Sequence, residues 1–141
     1  MKATVTKTVS ATVEAVWAVV SNHEGMTGWA PGLKASLVSE GTPDRNGVGA
    51  VRRLRNPFPV PAIVEEITAF EPNRRLAYRA LSGVPLKNYA GEIVLESADG
   101  GTTITYSISA DPRLPGIDAA LVRGIAIALL NTVVRQIRKG T

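Results

Sequence analysis

The feature that most constrains the fold is a series of short β-branched segments, spaced by turn residues, that gives way to one long helical pattern. Strand-like segments lie at about 33–40, 48–55, 62–70, 74–81, 86–97 and 102–110. The breaks between them are Thr42-Pro43-Asp44-Arg45-Asn46-Gly47, Asn56-Pro57-Phe58-Pro59-Val60-Pro61, Glu71-Pro72-Asn73-Arg74, Ser82-Gly83-Val84-Pro85 and Ala98-Asp99-Gly100-Gly101. Gly, Asn and Asp reach the backbone conformations that tight turns need and Pro presets them, so the series reads as consecutive antiparallel hairpins. An alternating segment at 4–9 reads as a first strand. Ser10 then offers an N-cap, and Val13, Val16, Trp17 and Val20 recur at i, i+3, i+4 and i+7, which predicts an amphipathic helix over 12–21. Residues 22–32, with Gly25, Gly28, Pro31 and Gly32 around Trp29, read as a loop or a second short helix. Beyond Pro112 and Pro115, residues 116–139 carry a helical pattern with Asp118 in the first turn, basic residues in the last and Gly140 as the stop. At 1.5 Å per residue this helix is roughly 35 Å long, enough to cross the whole sheet.

A chain of 141 residues, 45% hydrophobic, is expected to form a single domain, 1–141, with one core. The chain has no cysteine, which excludes disulfides, thiolate nucleophiles and cysteine metal sites and fits a reducing compartment. Residues 1–10 lack the apolar run of a secretory signal. The longest apolar run, 124–130 extended past Asn131 to 134, is about half of what spans a bilayer. The expectation is a soluble, cytoplasmic protein without a transmembrane segment. A net charge of +4 includes a cluster at Arg135, Arg138 and Lys139, but cations there suit a helix C-terminus, and no nucleic-acid partner is expected. The oligomeric state is left open.

Opposed residues in an antiparallel pair share a face, so the hairpins can be checked against one another. In 102–110 the polar set Thr103, Thr105, Ser107 and Ser109 is assigned to water, which sends Ile104, Tyr106, Ile108 and Ala110 inward. Across the Asp99-Gly100 turn, Leu95 opposes Ile104 and Ile93 opposes Tyr106, so Tyr89, Gly91, Ile93 and Leu95 point inward. Across the next turn Ala80 opposes Tyr89, so Leu76, Tyr78 and Ala80 follow. Ile67 then opposes Tyr78, which brings in Ala69, Ile67, Glu65 and Ile63. A hairpin centred on Phe58-Pro59 sets Leu54 against Ile63 and Arg52 against Glu65. Of the adjacent pair Glu65 and Glu66, the register therefore turns Glu65 inward.

A carboxylate on an apolar face is costly unless it is paired, and an arginine directly across the strand supplies the partner. The pair has two readings. It is a structural ion pair that fixes register, or it joins Tyr78 and Tyr89 as a polar cluster in an apolar hollow, the usual form of a small-molecule site. The hollow would be lined by Tyr78, Tyr89, Ile93, Tyr106 and either Leu121 or Ile125, beneath a terminal helix whose apolar residues cover more than one stripe. Ile67 is a further candidate. Trp29 is open between packing and ligand contact, and Asn131 between exposure and a polar contact. His23, the only histidine, has no second ligand type at helical or hairpin spacing and reads as a loop or helix-end residue rather than a metal ligand or base.

This order of elements, with Ala15-Val16-Trp17, Ser21-Asn22-His23, Trp29-Ala30-Pro31-Gly32, Gly47-Val48-Gly49-Ala50-Val51-Arg52, the run from Glu66-Ile67 to Glu71-Pro72-Asn73-Arg74-Arg75-Leu76-Ala77-Tyr78, and Gly101-Thr102, resembles the START-like helix-grip superfamily. Within it the match is to the SRPBCC group of polyketide cyclases/dehydrases and lipid-transport-like proteins. The resemblance implies an α+β fold: a curved seven-stranded antiparallel sheet wrapped around a long C-terminal helix, with one or two short helices after strand 1 and an apolar cavity between. It also implies that Trp29 lies in the cavity portal. The fold hosts carriers, cyclases, hydrolases and toxin-like proteins, so function has to be argued from the site. The leading expectation is binding or carriage of a hydrophobic small molecule, a lipid, aromatic polyketide or isoprenoid, with no cofactor. The alternative is a cyclase or dehydratase with Glu65 as base, Tyr78 or Tyr89 as proton donor and Arg52 stabilising an enolate, although a close cation lowers a carboxylate's basicity. A toxin-like or protein-interaction role is the third.

Overall fold

The computed structural model describes residues 2–27, 29, 32–57, 59–111 and 117–139. The expectations for Gly28 and Pro31 beside Trp29, for Phe58 at a hairpin centre, for the Asp118 side chain and for Gly140 lie outside the described residues. In chain order the elements are β1 (Lys2–Val9), α1 (Val13–Val20), β2 (Lys34–Ser39), β3 (Val51–Arg55), β4 (Ile63–Glu71), β5 (Arg75–Ser82), β6 (Ala90–Ala98), β7 (Gly101–Ser109) and α2 (Ile117–Lys139). A single 3-10 turn, Glu24–Met26, follows α1. The seven strands form one antiparallel sheet in the order β1-β7-β6-β5-β4-β3-β2. This is the helix-grip architecture.

The cross-strand pairs that fix the inward face are present: Leu95 opposite Ile104, Ile93 opposite Tyr106, Ile67 opposite Tyr78, Leu54 opposite Ile63 and Arg52 opposite Glu65, and the Ala80 amide donates to the Tyr89 carbonyl at 2.9 Å. Two assignments change. Between Ile67 and Ala69 the β4–β5 register shifts, so Ala69 pairs with Ala77 and Phe70 with Leu76. An extra residue in one strand inverts the parity beyond it. Phe70, not Ala69, therefore reaches the core side, where it meets Trp17 edge-on with ring centroids 5.1 Å apart. Ser107 is buried rather than solvated, because β1 pairs with β7 and sets Thr4 opposite it, with the two hydroxyls 3.1 Å apart.

Helix α1 is capped by Thr12, not Ser10: the Thr12 hydroxyl oxygen accepts from the Ala15 amide at 3.1 Å. Its apolar stripe buries Val16, Trp17 and Val20. Helix α2 packs on β1, β7 and α1 through Val122, Ala126, Leu130, Val134 and Ile137, all buried. Taken whole, Ala120–Lys139 is long and apolar enough by composition to cross a membrane, which its uninterrupted apolar run does not suggest. In the fold 33% of its apolar window is buried, by the stripe that packs on β1 and β7, and Leu121 and Ile127 are exposed. A second stripe, Ile125, Leu129 and Val133, is offset around the helix and turns toward the strands that α2 does not cover. That divergence opens the cavity.

Candidate functional site

Between the concave face of β3–β7 and α2 lies a cavity of about 310 Å³. This is at the small end of the range for ligand pockets, which runs from about 300 to 1,000 Å³. Of the ten residues singled out from sequence, Trp29, Arg52, Glu65, Tyr78, Tyr89, Ile93, Tyr106 and Ile125 line it. Two do not. Ile67 is sealed in the core at 1% exposure, and Leu121, one turn before Ile125 along the same side of α2, is 45% exposed and outside the lining. Asn131 is exposed. The lining also includes Leu54 and Ile63, which the register already turns inward, Leu129, one turn beyond Ile125 on α2, and Val20, Met26 and Val84, contributed by a helix end and loops that residue spacing does not bring together.

The polar end of the cavity is built on β3 and β4. Arg52 and Glu65 are both 4% exposed, and the arginine Nε and Nη2 each lie 2.8 Å from the same carboxylate oxygen, Oε1. The guanidinium carbon sits 4.7 Å from the centre of the Tyr78 ring, a cation–π contact in a desolvated setting. Tyr78 can lie in this position because residue 91, opposite it on β6, is glycine: a Cβ there would collide with the phenol. The Tyr78 and Tyr106 hydroxyls are 2.5 Å apart. Two hydroxyls sharing one link leave one O–H proton to be donated elsewhere. Burial pushes the Tyr78 phenol well above its ordinary range and Tyr106 up to about 12, and burial likewise raises Tyr89. All three remain protonated hydrogen-bonding groups at neutral pH.

His23 is the residue that sequence reasoning set aside. It is fully buried, with Nε2 2.8 Å from the Asn46 carbonyl and Nδ1 3.2 Å from Arg52 Nη1. A carbonyl only accepts and a guanidinium only donates, so the proton is on Nε2 and Nδ1 accepts: the ring is neutral. Burial, and secondarily the Arg52 charge, lowers its pKa from 6.5 to about 4. The histidine thus fixes Arg52 from the side opposite Glu65. Only its place at a helix end is visible locally, because its partner is 29 residues away in sequence. No group of three or more His, Cys, Asp or Glu that could hold a metal ion occurs among the described residues.

The family model for polyketide cyclase/dehydrase and lipid transport matches residues 1–138. No curated protein matches the chain in sequence. Among solved structures, a START superfamily protein from Mycobacterium smegmatis superposes with a TM-score of 0.79 at 14% identity, covering 99% of each chain. Ara h 8.0201 superposes with a TM-score of 0.76 at 17% identity, covering 99% of this chain and 98% of its own. DynU16, a protein in the dynemicin biosynthetic locus, gives 0.76 at 21% identity over 99% of this chain, which spans 48% of that protein. At these identities the structural likeness establishes the fold, and the sequence match establishes the lineage: the chain belongs to the polyketide cyclase/dehydrase and lipid-transport family of the START-like helix-grip superfamily.

Proposed function

We propose that the chain acts as one START-like domain, 1–141, that binds and carries a hydrophobic small molecule in the cavity between sheet and α2. The observation that carries this reading is a preformed apolar hollow with a few convergent polar groups at one end, Arg52, Glu65 and the tyrosines. An apolar body would lie against Ile63, Ile93, Ile125 and Leu129, and a polar group would meet the tyrosine hydroxyls. Trp29 stands on the cavity wall as the portal residue. Lack of cysteine fits a carrier in a reducing compartment such as the cytoplasm. The cyclase or dehydratase reading finds less support. It needs Glu65 to collect a proton, whereas Oε1 already accepts two guanidinium bonds.

The test is native mass spectrometry of protein purified from its own host, joined to titration with N-phenyl-1-naphthylamine, an uncharged probe that fluoresces in apolar sites. A co-purifying apolar molecule that the probe displaces supports carriage, and its chemical conversion on incubation would replace carriage by catalysis. Absence of both a retained molecule and saturable probe binding would overturn the proposal.

A further inference from the structure

We infer that the ligand is an uncharged molecule of one to three fused or linked rings, or equivalent bulk, ending in a hydroxyl or carbonyl, and that Glu65 is the residue that makes the site reject carboxylate-headed ligands. The inference rests on the carrier reading and narrows it.

Size comes first. A cavity of about 310 Å³ is too small for a two-chain lipid and suits a compact molecule. Charge comes next. Among the described lining residues, Arg52 and Glu65 are the only ones that carry charge at neutral pH, and they are paired at 2.8 Å. A buried arginine facing a cavity would ordinarily invite an anion. Here the countercharge is already within the wall, so an incoming carboxylate would meet a guanidinium and a carboxylate together. It would lose its hydration without a net attraction in return. His23 does not alter this balance, because the hydrogen bonds on its two nitrogens hold the ring neutral.

Hydrogen bonding then favours a neutral polar group over a bare hydrocarbon. The guanidinium bonds to Glu65 and His23 leave one N–H on each terminal nitrogen outside those contacts, and Glu65 Oε2 takes part in neither arginine bond. The hydroxyls of Tyr106, Tyr78 and Tyr89, joined by two links, leave one further O–H proton. Donors and an acceptor side by side match a hydroxyl, which does both, and the donors alone match a carbonyl.

The experiment is competition against bound N-phenyl-1-naphthylamine by 2-naphthol and by 2-naphthoate, which share a ring system and differ in head-group charge at pH 7.5. For the wild type, 2-naphthol should displace the probe at a concentration at least about tenfold lower than 2-naphthoate, given the cost of burying an unmatched ion. Glu65→Gln, which frees the arginine charge and keeps the side-chain shape, should narrow or reverse that ratio by raising affinity for 2-naphthoate. Equal or tighter binding of 2-naphthoate by the wild type would overturn the inference and leave the carrier reading standing. An unchanged ratio in a folded Glu65→Gln protein would overturn the role of Glu65. Should that variant not fold, the wild-type ratio still decides the ligand class. Failure of the probe itself to bind would instead count against the carrier reading.

Discussion

Adjacent residues Glu65 and Glu66 offer a controlled comparison, because each is cross-strand from an arginine and only one is buried. Glu65 pairs with Arg52 at 2.8 Å, with side-chain exposures of 6% and 5%. Glu66 pairs with Arg79 at 2.7 Å, with exposures of 28% and 60%. The distances are alike, so any difference in energy comes from solvent. Glu65→Gln would leave a desolvated guanidinium without its countercharge, and breaking a buried pair costs about 3–5 kcal/mol. Glu66→Gln should cost less than about 1 kcal/mol, the usual limit for exposed pairs. For a chain of this size each kcal/mol moves Tm by about 2–4 °C, so Glu65→Gln should lower it by roughly 10 °C and Glu66→Gln by a degree or two. Urea melts at pH 7.5 give the free energies directly, with the slope of the transition checking that the unfolded state has not changed. The double variant Arg52→Met/Glu65→Leu should recover much of the loss, since the penalty lies in the orphaned charge. Equal losses for the two single variants would refute the reasoning, because they would mean that burial does not distinguish the pairs.

Three further outcomes follow from the same geometry. His23 has a folded pKa of about 4 against 6.5 in the unfolded chain, so it affects stability little above pH 6.5. As pH falls from 6.5 toward 4 the unfolded state gains a proton that the folded state refuses, and about 3 kcal/mol should be lost. A His23→Gln protein, less stable at pH 7, should show a shallower acid slope by that amount in parallel urea melts, and an identical slope would disprove a buried neutral imidazole. Gly91→Ala improves intrinsic strand preference but drives a methyl into the Tyr78 phenol, so naphthylamine affinity should fall several-fold, and unchanged binding would show that Tyr78 is not held where the cavity needs it. In a Trp17→Phe background, which leaves Trp29 the only tryptophan, emission should shift on ligand titration because Trp29 lines the cavity, whereas flat emission during saturable binding would place the entrance elsewhere.

The order of elements, the hairpins and the inward face of most strands were legible in the local residue pattern, because two-residue alternation is local and each turn transmits parity to the next strand. Glu65 opposite Arg52 followed from that counting alone, and with it most of the polar cluster. What counting could not supply was decided in three dimensions. The bulge after Ile67 carries Phe70 to Trp17 in place of Ala69, because a register shift answers to packing across the sheet rather than to the strand's own pattern. The split of α2 into a core stripe and a cavity stripe depends on where the helix axis lies over the sheet, and so does the extent of the hollow along it: Ile125 lines the hollow, whereas Leu121, one turn earlier on the same stripe, meets solvent. His23 acquired its part only when residues far apart in the chain were brought together: the Asn46 carbonyl and the Arg52 guanidinium together fix its tautomer, and neither is its neighbour in sequence.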